Sequence, residues 1–178
     1  MKIYYLTVLF IVFLLGSATP LAAQMTSQEQ ETAKKEIIEV VGTIFTNLQN
    51  MDAEALYKSY AESPDFIQIT TAGELADFQT AKNEHANWFM TLSSLKVTRV
   101  RETFRFLPDN TVVYYWFGKF EITTKKGVQL KMDKFGTTFI FSKKGNQWKV
   151  IFQQASSLPP VPVKEWSMTE MLPGRQTV

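Results

Sequence analysis

Two side chains in this sequence have the chemistry of a general base. His85 is the only histidine, and an imidazole exchanges protons near neutral pH. Because it lies on the apolar stripe of a predicted helix, it is interpreted either as a base or as a histidine that is hydrogen-bonded within the core. Asp65 follows Ser63 and Pro64 at the start of a short predicted strand. An apolar pocket would raise the pKa of its carboxyl group and make it a base, whereas in the turn that Ser-Pro favours it would be solvated.

Several other kinds of catalytic site are excluded by residue type. The chain has no cysteine, which excludes thiol catalysis, disulfides and thiolate metal sites. A single histidine excludes a multi-histidine metal centre. The sequence also contains no glycine-rich phosphate loop, serine nucleophile elbow or pair of catalytic carboxylates. We therefore predict neither a metal nor a cofactor.

The overall composition is that of one globular domain. Of the 178 residues, 45% are hydrophobic and 20% are charged, as in ordinary folded proteins of this length. The formal net charge is +2, and the lysines are spread through predicted turns. A nucleic-acid-binding protein usually has a concentrated basic face, so no nucleic-acid partner is predicted.

Two glutamines interrupt strand faces that are otherwise apolar. In the last predicted strand, the face that carries Trp148 and Val150 reaches the amide of Gln154 when the alternation is continued. Gln68 interrupts the face of an earlier, shorter strand in the same way. A buried amide must find hydrogen-bond partners. We therefore predict that both amides face a pocket, where a polar ligand group or ordered waters would satisfy them.

Aromatic residues with a polar atom form a second set of candidate ligand-binding residues. A tyrosine or tryptophan can donate a hydrogen bond from an apolar wall. At helical and strand spacing such residues also form ordinary cores or interfaces, and both interpretations stay open. The candidates are Tyr57, Tyr60, Trp88, Tyr114 and Trp116.

The N-terminus has the three parts of a secretory signal peptide. Lys2 is followed by an apolar run and then by small residues that end at Ala23 and Gln24. The run is shorter than the roughly 18 to 20 residues that span a bilayer. Residues 1–24 are therefore predicted to be a cleaved leader, with an uncleaved anchor as the alternative. The mature protein is predicted to be exported, periplasmic or secreted, and not bound to a membrane.

The periodicity predicts an α+β architecture. Apolar residues first recur at helical spacing, and after residue 94 the period changes to two. Helices are predicted over residues 32–50, 53–61 and 77–92, and strands over 66–70, 95–107, 111–123, 128–141 and 148–156. The last four strands are joined by tight turns, which is typical of an antiparallel meander. Residues 25–158 are thus predicted to form one domain.

A Pro-rich tail is predicted after this domain, over residues 159–178. Its first residues, Pro159 and Pro160, favour an extended conformation. Trp166, Met168 and Met171 are predicted to contact the sheet or a second subunit.

Two segments resemble the nuclear transport factor 2-like superfamily, particularly its SnoaL-like domains of secreted bacterial type. They are residues 50–56 (NMDAEAL) and residues 145–156 (GNQWKVIFQQAS), and the resemblance extends over about residues 30–158. It implies a cone-shaped α+β fold, in which helices pack in a curved antiparallel meander sheet and an apolar pocket opens at one end. It also implies a homodimer through the sheet.

Enzymes of this superfamily, such as steroid isomerases and polyketide cyclases, have an acidic or histidine base deep in the cone. The resemblance implies that role for Asp65 or His85. Many relatives carry a histidine at the position of Gln154, and a glutamine cannot act as a base. This departure disfavours acid–base chemistry.

The leading functional hypothesis is an exported SnoaL-like domain that binds a small, mostly apolar molecule, with no demonstrated catalysis. One alternative is an isomerase, cyclase or dehydratase that uses Asp65 or His85 as base and Tyr57 or Tyr60 as hydrogen-bond donor. Another is a dimeric interaction module whose cone is filled by its own side chains. A solid cone would leave only the interaction module, and an imidazole or carboxylate in the cavity would keep the enzyme alternative open.

Overall fold

Residues 24–163 form three helices and a curved sheet of seven strands. The computed structural model describes residues 24–163. Most of the predicted leader, and Trp166, Met168 and Met171 of the predicted tail, lie outside the described residues. The helices are α1 (Ser27–Gln49), α2 (Ala53–Tyr57) and α3 (Phe78–Phe89). The strands are β1 (Ile67–Ile69), β2 (Leu75–Ala76), β3 (Leu92–Leu107), β4 (Thr111–Thr124), β5 (Gln129–Lys144), β6 (Gln147–Ser157) and β7 (Val161–Pro162).

Helix α1 begins earlier than the apolar pattern predicted. The Thr26 hydroxyl accepts a hydrogen bond from the backbone N–H of Glu29, and the Glu29 carboxylate accepts one from the backbone N–H of Thr26. This reciprocal capping satisfies two N–H groups that would otherwise lack partners. It starts the helix at Ser27 instead of Thr32. The buried stripe consists of Ala33, Ile37, Val41, Ile44 and Leu48.

Aspartates cap the two shorter helices, as the sequence predicted. The Asp52 carboxylate accepts from the backbone N–H of Ala55, and the Asp77 carboxylate accepts from that of Thr80. Each cap lets a helix start abruptly after a loop.

Helix α2 is shorter than predicted because the chain leaves it to join the sheet. The backbone N–H of Ala61 donates to the carbonyl of Val150 in β6 at 2.8 Å. Tyr60 forms a bridge with the same residue. This connection holds the rings of Tyr57 and Tyr60 in a stack, with 4.7 Å between their centroids.

The predicted antiparallel meander of β3 to β6 is confirmed within a larger sheet. The strand order is β2-β1-β6-β5-β4-β3, with β7 paired to β5. Strand β1 runs parallel to β6, and Gln68 is in register with Gln153. The short strand β2 was not predicted, and Val161–Pro162 of the Pro-rich segment joins the sheet as β7.

A β-bulge decides which side chains of β6 face the helices. Val150 and Phe152 pair with adjacent residues of β5, which leaves Ile151 as one extra residue. The alternation shifts by one position after the bulge. Gln153 therefore points toward the helices, and Gln154 is exposed on the outer face. The prediction that Gln154 ends the inward-facing row is wrong.

The helices pack against the concave face of the sheet and form the core with it. The largest fully buried side chains include Trp116, Tyr114, Phe66, Phe139 and Phe141. Within residues 24–163, no helix is both long and apolar enough to cross a membrane.

Candidate functional site

A cavity of about 500 Å³ lies between the helices and the concave face of the sheet. Most of its wall is apolar. The apolar lining residues include Ile44, Phe45, Leu48, Leu56, Trp88, Phe120, Ile122, Met132, Phe135 and Phe139. The side chains of residues 24–163 thus leave the cone hollow, which argues against the filled interaction module.

Exposed residues mark the opening of the cavity. The turn between β1 and β2 contributes Thr71 and Ala72, and the segment after β6 contributes Pro159 and Pro160. Glu84 of α3 also lines the cavity and is exposed. A ligand would enter between these segments.

Helix α3 places the imidazole of His85 in the cavity wall. Its Nδ1 lies 3.0 Å from the carbonyl oxygen of Ala81, one turn earlier in the helix, and 2.9 Å from the hydroxyl of Tyr57. A carbonyl oxygen only accepts hydrogen bonds, so Nδ1 carries the proton and shares it between the two oxygens in a bifurcated hydrogen bond. The other ring nitrogen, Nε2, then has a lone pair, and within residues 24–163 it forms no hydrogen bond.

The Tyr57 hydroxyl connects His85 to Gln68. It lies 3.2 Å from Oε1 of Gln68. Because it accepts from Nδ1 of His85, its single proton is donated to the amide oxygen. Tyr57 and Gln68 are both buried, and the contact joins α2 to β1. The three side chains form one directed hydrogen-bond chain.

A second tyrosine and glutamine form a parallel contact. The Tyr60 hydroxyl donates to Oε1 of Gln153 at 2.8 Å. Tyr60, Gln68 and Gln153 all line the cavity. The two amides are neighbours in register on β1 and β6.

Burial keeps these groups in their neutral forms. It lowers the pKa of His85 below the ordinary value, and the hydrogen bond to Ala81 offsets part of that shift. Burial also raises the pKa of Tyr57, with smaller contributions from Tyr60 and Glu84. The pKa of Tyr60 is raised by burial as well. At neutral pH the site therefore has a neutral imidazole and two protonated phenols.

The chemistry of a metal site is absent from the described part of the chain. No group of three or more histidine, aspartate or glutamate side chains lies close enough to hold an ion within residues 24–163.

Four of the predicted site residues line the cavity: Tyr60, Gln68, His85 and Trp88. Tyr57 lies behind the wall and hydrogen-bonds to two of them. The helical stripe and the interrupted strand face were the signals that identified this group.

The other predicted site residues do not line the cavity. Asp65 is exposed in the turn before β1, where its backbone N–H donates to Ser63, so the assignment of Asp65 as a base in the cone is wrong. Gln154 faces outward because of the bulge at Ile151.

Tyr114 and Trp116 are buried core residues instead of pocket residues. The Tyr114 hydroxyl donates to the carboxylate of Glu102 at 2.5 Å. The ring of Trp116 packs against Phe45 with 4.5 Å between their centroids.

Gln153 and Glu84 are among the cavity residues that the sequence interpretation missed. Gln153 was assigned to the outer face, and only the position of the bulge at Ile151 would have identified it. Glu84 directly precedes His85 in the third helix and was not considered as a site residue.

No family model matches the sequence, and no curated protein matches it. Solved structures do match in fold. A hexachlorocyclohexane dehydrochlorinase (LinA) type 2 is similar with a TM-score of 0.68 at 8% identity, covering 78% of this chain and 94% of that one. A protein provisionally named a scytalone dehydratase, from Novosphingobium aromaticivorans, has a TM-score of 0.70 at 10% identity, with coverages of 79% and 94%.

A third similar structure is a nuclear transport factor 2-like superfamily protein from Salmonella enterica. Its TM-score is 0.65 at 16% identity, and the match covers 78% of this chain and 97% of that one. Helices inside a curved sheet, a hollow cone and these matches agree with the resemblance seen in the sequence. The chain has the nuclear transport factor 2-like fold that SnoaL-like domains share.

Proposed function

We propose that the protein binds a small, mostly apolar molecule inside the cone. The observation that supports this proposal is the cavity of about 500 Å³, whose apolar wall carries a small group of polar side chains. Cavities of this size and composition commonly enclose drug-sized ligands. The binding energy would come from apolar surface removed from water, and the polar groups would orient the ligand.

Filling the cavity tests this proposal. Ala155 lines the cavity, while its neighbour Ser156 is exposed on the outer face. Ala155→Phe should place a ring in the ligand space, and Ser156→Phe adds the same ring outside. With N-phenyl-1-naphthylamine as a neutral fluorescent probe, we expect saturable binding by the wild type and by Ser156→Phe. We expect affinity at least about tenfold weaker for Ala155→Phe, because the probe would have to share its space with the new ring, and overpacking of this kind costs roughly 1–3 kcal/mol.

Two results would contradict the proposal. One is the absence of saturable probe binding by the wild type. The other is equal affinity of the wild type and a folded Ala155→Phe variant.

A second candidate function is proton transfer by His85 as general base, in an isomerase- or dehydratase-type enzyme. The specific observation is that Nδ1 is held by Ala81 and Tyr57, which leaves the Nε2 lone pair available in a cavity wall. A neutral imidazole can accept a proton from a carbon next to a carbonyl group. Structures of similar fold include the dehydrochlorinase named above.

Hydrogen–deuterium exchange tests this candidate without knowledge of the natural substrate. The methyl protons of 2-acetylnaphthalene would be followed by NMR in D₂O. We expect the wild type to accelerate their exchange, and His85→Gln, which keeps a polar group near Tyr57, to lose about 100-fold or more of that acceleration. Equal exchange rates with and without the wild-type protein would rule out this activity toward the ketone.

Export through the N-terminal leader is part of the proposal. It is supported by Lys2, the apolar run and the small residues before Met25. Mass spectrometry of the protein from its own host should find a chain that begins at Gln24 or Met25, outside the cytoplasm. An intact residue 1–24 segment in the membrane fraction would favour the uncleaved anchor.

A homodimer through the sheet is also proposed. Its support is a row of apolar side chains in register across the outer face of β1, β6, β5 and β4: Ile67, Phe152, Ile140 and Val113. Ile67 is 44% exposed, so Ile67→Lys should disturb a dimer more than the fold. Sedimentation should show a dimer for the wild type and a monomer for the variant, and a monomeric wild type would contradict the proposal.

A further inference from the structure

Two glutamine amides lie side by side in the cavity wall. Gln68 of β1 and Gln153 of β6 are in register on paired parallel strands, and neighbouring strands lie about 4.8 Å apart. Both side chains line the cavity. Gln68 is only 5% exposed, so its amide depends on partners inside the fold or in the cavity.

The orientation of the Gln68 amide follows from the direction of its hydrogen-bond chain. The carbonyl of Ala81 only accepts, so Nδ1 of His85 donates and Tyr57 accepts from it. The Tyr57 proton is then directed to Oε1 of Gln68. The amide oxygen of Gln68 therefore faces Tyr57, and its amide nitrogen does not.

The amide oxygen and the amide nitrogen of Gln153 also have separate roles. Its Oε1 accepts from the Tyr60 hydroxyl, which leaves its amide nitrogen for another partner. Within residues 24–163, the amide nitrogens of Gln68 and Gln153 donate to no protein acceptor, and neither is sealed away from the cavity. The wall therefore presents adjacent N–H donors whose oxygens are already engaged. Buried donors of this kind call for an acceptor.

The charges around the cavity indicate what kind of acceptor fits. Among residues 24–163, no lysine or arginine lines the cavity, and the one carboxylate in its lining belongs to Glu84. An anionic ligand would be desolvated without a compensating cation and would be repelled by Glu84. A neutral carbonyl oxygen accepts two hydrogen bonds without that cost.

We propose that the Gln68–Gln153 amide pair binds the carbonyl oxygen of a neutral, mostly apolar ligand such as a ketone, ester or lactone. This inference rests on the proposed function and names the ligand class of the same cavity. The two tyrosines act as positioning residues, since each fixes one amide oxygen. The carbonyl group would also bring its neighbouring carbon toward the wall that contains His85.

The experiment uses three naphthalene compounds that differ only in one group. They are 2-acetylnaphthalene, which has a neutral carbonyl, 2-ethylnaphthalene, which has none, and 2-naphthoate, which is anionic. Their affinities would be measured by tryptophan fluorescence, because Trp88 lines the cavity. We expect the wild type to bind the ketone about tenfold more tightly than the ethyl compound, from two hydrogen bonds of ordinary net strength. The carboxylate should bind more weakly than the ketone.

Adjacent glutamines supply a matched pair of variants. Gln153→Glu keeps an oxygen for Tyr60 and replaces the N–H donors, whereas Gln154→Glu makes the same change on the exposed outer face. At pH 8, where the introduced carboxyl group is ionised, Gln153→Glu should lose the preference for the ketone and Gln154→Glu should keep it. Gln153→Leu removes the donors without adding charge and should also lose the preference. Thermal unfolding checks that each variant is folded.

The outcomes separate this inference from the proposed function. Binding of the ketone and the ethyl compound with equal affinity would overturn the carbonyl assignment and leave ligand binding intact. Tighter binding of 2-naphthoate than of the ketone would overturn the neutral ligand class, and an unchanged preference in folded Gln153→Glu and Gln153→Leu would overturn the role of the amide pair. No saturable binding of any of the three compounds would overturn both proposals.

Discussion

The cavity has two walls that are stabilised in different ways. The polar wall contains Tyr60, Gln68, His85 and Gln153, with Tyr57 behind it, and a hydrogen bond of 2.8 to 3.2 Å engages each of these side chains. The aromatic wall, on β4, β5 and α1, contains Phe120, Phe135 and Phe45, with the buried ring of Trp116 packed behind it. Its rings are in close contact, with centroids 4.5 Å apart for Phe45 and Trp116 and 4.6 Å apart for Phe120 and Phe135.

The two walls differ in whether their buried polar atoms have hydrogen-bond partners. In the polar wall both tyrosine hydroxyls have partners, whereas Nε1 of Trp116 is buried and forms no hydrogen bond within residues 24–163. Hydrogen bonds fix the direction of side chains, while close packing fixes their volume. We therefore expect the aromatic wall to be sensitive to changes in size, and the polar wall to changes in polarity and pH.

The largest expected effect is the addition of one methyl group to the aromatic wall. A Cβ at Gly118 would overlap the ring of Trp116 and the backbone carbonyl of Thr98. Because a carbonyl in a paired strand cannot easily move, Gly118→Ala should lower the free energy of unfolding by about 3 kcal/mol. In the control Gly42→Ala the new Cβ meets no atom within 4 Å, and this change should stabilise α1 by about 0.5–1 kcal/mol. Urea unfolding measures the free energy of unfolding of both variants. Equal values for Gly118→Ala and Gly42→Ala would contradict the tight packing of this wall.

The next effect comes from removing one hydroxyl group from the polar wall. Tyr57→Phe leaves the buried Oε1 of Gln68 without its donor. An unsatisfied buried acceptor costs roughly 1–3 kcal/mol, so we expect a loss of about 2 kcal/mol in urea unfolding. Tyr115 is half-buried, and its hydroxyl bonds to no other described residue. Tyr115→Phe should therefore change stability by less than about 0.5 kcal/mol, and similar losses for both variants would argue against the hydrogen-bond chain.

The elements around this cavity could be predicted where their signals are local. The stripe of α1 and the caps at Asp52 and Asp77 each depend on residues within a few positions of one another. The meander follows from alternation and turns along consecutive segments. Each of these signals is contained within a short segment of the sequence. The cone shape was predicted from the order of the elements and from the resemblance to the nuclear transport factor 2-like superfamily.

The facing of Gln153 and Gln154 could not be predicted, because it depends on how β6 pairs with β5. The bulge at Ile151 exchanged the roles of Gln153 and Gln154, two identical side chains in adjacent positions. Nothing in the alternation of β6 marks the extra residue, since Phe152 is apolar on either face. The contact of Tyr57 with His85 likewise joins α2 to α3, which are separated in sequence by β1 and β2.

The pH dependence of stability just below pH 6.5 should come from the polar wall. Burial lowers the pKa of His85 in the folded state below its unfolded value of about 6.5. The resulting stability is complete above pH 6.5 and is lost as the pH falls through the interval down to the folded pKa. Below pH 6.5 the free energy of unfolding of the wild type should therefore fall with decreasing pH by an additional amount of at most about 1.4 kcal/mol per pH unit.

Two variants test that assignment. His85→Gln should remove the additional slope, whereas Phe120→Leu in the aromatic wall should keep it, whatever each change does to stability at pH 7.5. Urea unfolding at pH 7.5, 6.5 and 5.5 compares the three proteins. Parallel curves for the wild type and His85→Gln would show that the imidazole is not the group responsible.

The smallest effect distinguishes a tryptophan without a hydrogen-bond partner from one that has a partner. Trp116→Phe removes an indole N–H that is buried and unpaired, so relief of its desolvation offsets part of the lost packing. The net loss should be about 1 kcal/mol or less, although truncation of a buried aromatic ring to alanine typically costs about 3–5 kcal/mol. Trp148 is also buried, but its indole N–H donates to the carboxylate of Glu36 at 2.7 Å.

Trp148→Phe therefore removes the same volume together with a charge-assisted hydrogen bond, and it should cost about 1 kcal/mol more than Trp116→Phe. Urea unfolding at low and high salt separates the two contributions, because salt weakens only the part that depends on Glu36. If Trp116→Phe proved the more costly of the two, the volume lost beside Phe45 would outweigh a buried charge-assisted hydrogen bond. The expectation that the unpaired indole N–H of Trp116 offsets part of the packing loss would then have to be abandoned.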